Sequence, residues 1–322
     1  MQDNRFLLII NPISGQIKKD KVPNLVQSRL SQSGNKVDIE FTKCAGDATQ
    51  LAQKAVNEGY YGVIACGGDG TINETAIALR ETDTILGILP CGSGNGLARH
   101  LEIPIDFELS LNIIQKNHVT RCDYGSVNNM PFFCTFGVGF DATVSHRFAQ
   151  QSRRGKMMYI KSAITEYLNY NQETYTLKAN GETITEEAFI VACCNASQYG
   201  NNAYIAPHAS MTDGLIDVTV IHKGNLFDSA IMGFDLFSGY LDRNTHIRTF
   251  RTNHLEITRN GDGAAHIDGE ALILGKDLSI KCHPEAINIF TPENTNMFRP
   301  IVTPLNSMMQ DIKIAFSHIF NH

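Results

Sequence analysis

Through the first third of the chain, short apolar runs alternate with segments of helical length. The runs are 5–10 (RFLLII), 36–41 (KVDIEF), 62–66 (GVIAC) and 84–89 (TILGIL). Helices are expected over 21–33, ending at Gly34, and over 47–58, ending at Gly59. Asp47 is the expected N-cap of the second, with Gln50 three residues on. Strands that alternate with helices build a parallel sheet covered on both faces. In such a sheet, ligands bind beyond the carboxyl ends of the strands.

The pattern changes near residue 120. Short strand candidates then dominate: 131–138, 174–179, 188–194, 215–222, 253–258, 264–267, 270–274, 278–283 and 286–291. Asn180-Gly181 and Asp268-Gly269 lie between apolar runs, which is the hairpin signature. Helices are expected at 156–170 and 226–241. The fold class is therefore an N-terminal parallel-sheet α/β domain followed by a C-terminal antiparallel β-sandwich. We place the domains at 1–125 and 126–290. Residues 291–322 form a tail whose helix carries Leu305, Met308, Met309, Ile312, Ala315, Phe316, Ile319 and Phe320 at helical spacing. Such a stripe is expected to pack back on the protein.

A net charge of −6 argues against nucleic acid as a partner. The eight cysteines show no CxxC and no metal-ligand spacing, so they read as small buried apolar residues in a reducing compartment. No signal peptide is visible, and no apolar run approaches the ~20 residues of a membrane span. A cytoplasmic protein is expected.

Three turns at strand ends share one character: NPISG (11–15), GGDGT (67–71) and CGSGNG (91–96). All three fall on the same edge of the expected sheet. Gly67, Gly68 and Gly70 permit close backbone approach. A helix opening near Ile72 presents free N–H groups and a positive dipole end, so the turns can cradle phosphate. Thr71 and Glu74 also have the spacing of a capping box, which needs no ligand. Asp69 fits the cradle worst, because a carboxylate repels phosphate unless a cation bridges them, as Mg²⁺ does in kinases. The spacing matches neither a P-loop, nor a protein kinase, nor a G-x-G-x-x-G fingerprint.

In this order, NPISG, GGDGTINE and PCGSGNGLARHL resemble the lipid-kinase family of bacterial diacylglycerol kinases, sphingosine kinases and ceramide kinases. The later segments CDYGSV (122–127), TDGLIDV (212–218) and HIDGE (266–270) resemble the same family, so the likeness spans about residues 5 to 290. NAD kinases and phosphofructokinases share the N-terminal architecture. The resemblance implies an ATP- and Mg²⁺-dependent transfer of phosphate to a lipid hydroxyl in the cleft between two domains, diacylglycerol giving phosphatidic acid. It implies a nucleotide site lined by Asn11, Ser14, Gly67, Gly68, Asp69, Gly70, Thr71, Asn73, Glu74, Gly92, Ser93, Gly94 and Asn95. Asp123 would belong to a Mg²⁺–water network, and Asp268 and Glu270 would flank the reacting hydroxyl. A structural Mg²⁺ would be held by the Asp213 carboxylate and the carbonyls of Ser210 and Leu215. Ser93 and Gly96 depart from the bacterial diacylglycerol kinase pattern toward the sphingosine-kinase version, which leaves a long-chain base open as acceptor. A soluble metabolite of the NAD-kinase type is a further alternative.

A lipid hydroxyl needs a positioned base, and Asp268 can accept its proton while Glu270 orients it. Arg147, Arg153, Arg154, Lys156 and Lys161 make residues 144–162 locally basic, which suits peripheral contact with a membrane surface as well as a solvated loop. The sequence leaves a homodimer open.

Overall fold

The computed structural model of the chain describes residues 4–15, 21–149, 170–294 and 298–320. The helix expected over 156–170 falls, but for Tyr170, outside them, as do Arg153, Arg154, Lys156 and Lys161.

Strands β1 (Arg5–Ile10), β2 (Lys36–Phe41), β3 (Gly62–Gly67) and β4 (Ile85–Pro90) pair in parallel in the order β2-β1-β3-β4. Every residue of β3 and β4 is buried, which explains runs too apolar to alternate. Helices α1 (Val22–Ser31), α2 (Asp47–Asn57), α3 (Asp69–Leu79), α4 (Gly96–His100) and α5 (Phe107–Lys116) complete this half. Two helix starts differ from expectation. Gly46, at φ +87°, is the N-cap of α2; Asp47 lies inside the helix and accepts the N–H groups of Lys43 and Cys44. Helix α3 begins at Asp69 rather than near Ile72, so Thr71 is a helical residue and no N-cap.

The second half holds β5 (Val119–Val127), β6 (Met130–Phe132), β7 (Thr135–Gly139), α6 (Phe140–Ala149), β8 (Glu173–Ala179), β9 (Glu182–Ala188), β10 (Ile190–Cys194) and β11 (Ile216–Ile221). Then follow α7 (Leu226–Ser238), β12 (Ile247–Thr252), β13 (His254–Arg259), β14 (Gly263–Ile267), β15 (Glu270–Leu274), β16 (Asp277–Phe290) and α8 (Val302–Phe320). An antiparallel sheet in the order β12-β11-β10-β7-β14-β15 faces the extension of the first sheet through β16, β13, β8 and β9. Between them lies a core that includes Val127, Phe132, Phe136, Tyr175, Leu255 and Ile257. Both hairpin signatures make turns whose two residues have positive φ: Asn180 and Gly181, and Asp268 and Gly269.

Two sequence runs divide differently. The run 131–138 is broken after Phe132, and β7 starts only at Thr135. The runs 278–283 and 286–291 are one strand, β16, with a bulge between His283 and Ile287 that holds Pro284, a residue with no N–H for the ladder. The first part of β16 pairs with β13, and Ile289 pairs in parallel with Leu86 of β4. One strand thus ties the two halves together.

The tail helix meets Arg99 by its polar side. Ser307 and Asp311 meet Arg99 at 3.0 and 2.8 Å, while Leu305, Met308, Met309 and Ile312 face outward, each about half exposed.

Candidate active site

The three glycine turns meet. Asn11 donates its side-chain amide to Thr71 Oγ1 at 3.0 Å, joining the first turn to the second. Ser14 donates to the Asn11 carbonyl within the first turn. Gly15 sits at φ +68°, and a Cβ there would lie 1.9 Å from the Cys91 carbonyl oxygen, so the first turn rests directly on the third. A Cβ on Gly92 would lie 2.8 Å from the Gly68 Cα, so the second and third turns touch backbone to backbone. Gly67 is bare for Thr71, whose side chain would lie 2.6 Å from an added Cβ. Asn95, at φ +51°, closes the third turn by accepting the Gly92 N–H and donating to the Gly92 carbonyl.

Asp69 pins this assembly. One oxygen accepts the Asn95 N–H at 2.8 Å and the other the Gly96 N–H at 2.7 Å. Charge-assisted bonds of this kind are about twice as strong as neutral ones. They give the acid in this bare turn a structural role that the sequence reading did not foresee, the anchoring of the third turn to α3.

Across the cleft stands Asp268, in the β14–β15 turn. One carboxylate oxygen accepts the N–H groups of Cys134 and Thr135 at 2.7 and 2.9 Å. The other accepts the Phe133 N–H at 2.9 Å and the Asn73 side-chain amide at 3.1 Å. Two of the three backbone donors lie in the break between β6 and β7, and the third is the first residue of β7. Asn73 comes from α3, so this last bond joins the two halves directly above the glycine turns. Burial pushes the Asp268 carboxyl up to about 6, against the pull of the three N–H groups. Glu270 is exposed, with Oε1 3.9 Å from where a Gly70 Cβ would stand.

The cleft, about 670 Å³, is walled by Asp69, Asn73, Ser93, Gly94, Asp268 and Glu270, and farther along by Asp141, Tyr199 and His266. In that farther part, Asp141 Oδ2 accepts the Tyr199 hydroxyl at 2.7 Å and lies 3.0 Å from His266 Nε2. Gly137 must be bare there, since a Cβ would fall 2.4 Å from His266 Nε2.

Other expected site residues stand elsewhere. Glu74 turns away from the cleft and accepts the Gly46 and Ala48 N–H groups, capping α2 instead of lining a nucleotide. Asp123 is 1% exposed and outside the cleft wall; it accepts the N–H groups of Gly214 and Glu285, holding the 212–215 turn against the β16 bulge. Asp213 accepts the Leu215 N–H and lies 3.5 Å from Arg251, while the Ser210 hydroxyl faces Thr212. A cation held by the Asp213 carboxylate and the carbonyls of Ser210 and Leu215 would share that carboxylate with Arg251. Among the described residues no three of His, Cys, Asp and Glu gather as a metal site.

The model of the diacylglycerol kinase catalytic domain matches residues 5–127, and that of the YegS C-terminal NAD kinase beta sandwich-like domain matches 134–291. The chain belongs to the diacylglycerol kinase family of lipid kinases. A diacylglycerol kinase of Staphylococcus saprophyticus is 26% identical over 90% of this chain and 96% of its own. One from Bacillus subtilis is 27% identical over 83% of this chain and 89% of its own. A crystal structure from Bacillus anthracis, described as a candidate diacylglycerol kinase, shares the fold with a TM-score of 0.77 at 21% identity, covering 91% of this chain and 97% of that one.

The kinase's cleft is acidic: Asp69, Asp141, Asp268 and Glu270 line it, and no Lys or Arg does among the described residues. Sequence reasoning missed the amides of 133–135, which a continuous apolar run conceals. It also left His266 without a role, although His266 stands two residues before Asp268 and lines the same cleft. No helix among the described residues is long and apolar enough to cross a membrane.

Proposed function

We propose that this kinase transfers the γ-phosphate of ATP to the hydroxyl of a neutral lipid, diacylglycerol first, at the surface of a membrane. A long-chain sphingoid base is the second reading, favoured by Ser93 and Gly96 in the third turn. The observation that carries the proposal is the Asn73–Asp268 bond, which sets an acid from one half over the converging turns of the other.

The turn amides and the start of α3 favour phosphate. Four acids with no Lys or Arg beside them in the described wall oppose a bare triphosphate, so the cleft fits a nucleotide that carries Mg²⁺, with Asp69, Asp268 and Glu270 nearest. The ion neutralises charge on the transferring group. Asp268 accepts the lipid hydroxyl proton. Of its four donors only Asn73 is a side chain, so Asn73 is the one that yields as the hydroxyl enters. Glu270, exposed at the rim, orients the hydroxyl. Incubating the protein with γ-labelled ATP, Mg²⁺ and a panel of diacylglycerol, sphingosine, ceramide, monoacylglycerol and NAD tests this. Labelled phosphatidic acid is the expected product; label on NAD alone, or on nothing, contradicts the proposal.

Two further outcomes follow from the geometry. With Asp268 titrating at about 6, kcat/KM should rise about tenfold per unit of pH below that value and level off above it. The stability term has the opposite sense. A folded value above the free 3.8 means that stabilisation is present below about 4 and lost as pH rises through 6. A rate profile flat from pH 5 to 7 would remove Asp268 as the base. Gly15→Ala drives a methyl group into the Cys91 carbonyl at a positive φ. It should weaken ATP binding by about tenfold or more, roughly the 1–3 kcal/mol of a strained backbone residue. Isothermal titration with a non-hydrolysable ATP analogue checks it.

A further inference from the structure

Helix α8 is docked inside out. Its protein-facing side is Ser307, Asp311, half-buried Ile314 and buried Pro304; Arg99, 8% exposed, reaches Ser307 and Asp311, and Ser307 also donates to Asn202 at 2.9 Å. Leu305, Met308, Met309 and Ile312 point the other way, 46–53% exposed. A surface helix of a globular protein buries its apolar stripe, so this reversal leaves the stripe for something else.

Helix α7 adjoins it and also presents large apolar side chains outward. The Ile301 N–H donates to the Ser238 carbonyl at 2.7 Å, fixing the start of α8 to the end of α7. Met232 and Leu236 face the core, while Phe227, Ile231, Phe234 and Phe237 are 73, 41, 67 and 53% exposed. Their spacing of four, three and three residues makes one outward face. Eight large apolar side chains on two joined helices exceed the scattered exposure normal for a monomer.

We infer that this joint face of α7 and α8 seats the protein in the acyl boundary of a lipid bilayer. Charge supports a bilayer reached by apolar burial: α7 has no Lys or Arg, and α8 has only Lys313. Position supports it too. Arg99, which anchors α8, donates its Nε to the Gly94 carbonyl at 3.0 Å, and Gly94 lines the cleft. Helix α8, which carries half of the face, is therefore one side chain from the site whose proposed acceptor carries acyl chains. The choice of bilayer over another occupant rests on the lipid-kinase reading. Interfacial helices bury such faces roughly 5–10 Å deep.

The test uses the full chain, vesicles of phosphatidylcholine alone, and the double variants Phe227→Ser/Phe234→Ser and Leu305→Ser/Met309→Ser. These positions are exposed, and melting curves confirm the fold. Wild type should cosediment with the vesicles, and each variant should partition roughly tenfold less. Transfer to diacylglycerol in vesicles should fall in the same proportion, while transfer to a short-chain, dispersed diacylglycerol stays unchanged. Vesicle binding that ignores the variants overturns the inference, as does binding that requires anionic lipid. A wild-type dimer that the variants dissociate without loss of vesicle binding also overturns it, since a second copy would then cover the face. Face-dependent vesicle binding with no lipid phosphorylated supports the membrane surface and refutes the kinase reading alone.

Discussion

Asp268→Asn is expected to lower kcat by roughly 10²–10⁴, the usual contribution of a positioned general base. The substitution also has a structural cost. All four groups facing the carboxylate are donors, so an amide NH₂ placed there meets an N–H head-on. A group left unsatisfied in this way costs about 1–3 kcal/mol. The variant should therefore melt several degrees lower yet stay folded at 25 °C and keep its affinity for an ATP analogue. Single-turnover transfer measured beside calorimetry separates the two effects. Activity within a few-fold of wild type would leave Asp268 a structural clasp between β14 and the 133–135 segment.

Asp69→Ala is expected to weaken nucleotide affinity by roughly a hundredfold or more. Each lost bond from a charged acceptor to a backbone N–H is about 1.5–3 kcal/mol, and Asp69 makes two. The 91–96 turn would then lose its anchor to α3. The reciprocal Asn95–Gly92 bonds remain, so the turn should stay formed but no longer stay in place. Titration of an ATP analogue, with hydrogen exchange across 91–96, reads both. Undiminished affinity with faster exchange would show that Asp69 holds the turn without mattering to the nucleotide.

Much of this was legible because local rules and the fold agree. The β1, β3 and β4 runs end in glycine turns on one edge, and parallel pairing alone brings those turns together. Asp268-Gly269 announces its hairpin by the left-handed conformation both residues adopt. What was hidden depends on partners distant in sequence. Glu74 has capping-box spacing from Thr71, but it caps a different helix, because α2 and α3 pack side by side. Asp69 reads as an acid near phosphate, yet its donors lie more than twenty residues away. The spacing in α8 shows an apolar stripe but not which side meets the protein; that is decided by Arg99, more than two hundred residues earlier.

The most direct test of the account is the structure of the protein with Mg²⁺ and a non-hydrolysable ATP analogue. The triphosphate should lie over residues 67–71 and 92–96, its terminal phosphorus facing Asp268 across the 670 Å³ cleft. A triphosphate found instead in the separate 740 Å³ cavity beside His100, His118 and Phe298 would contradict it.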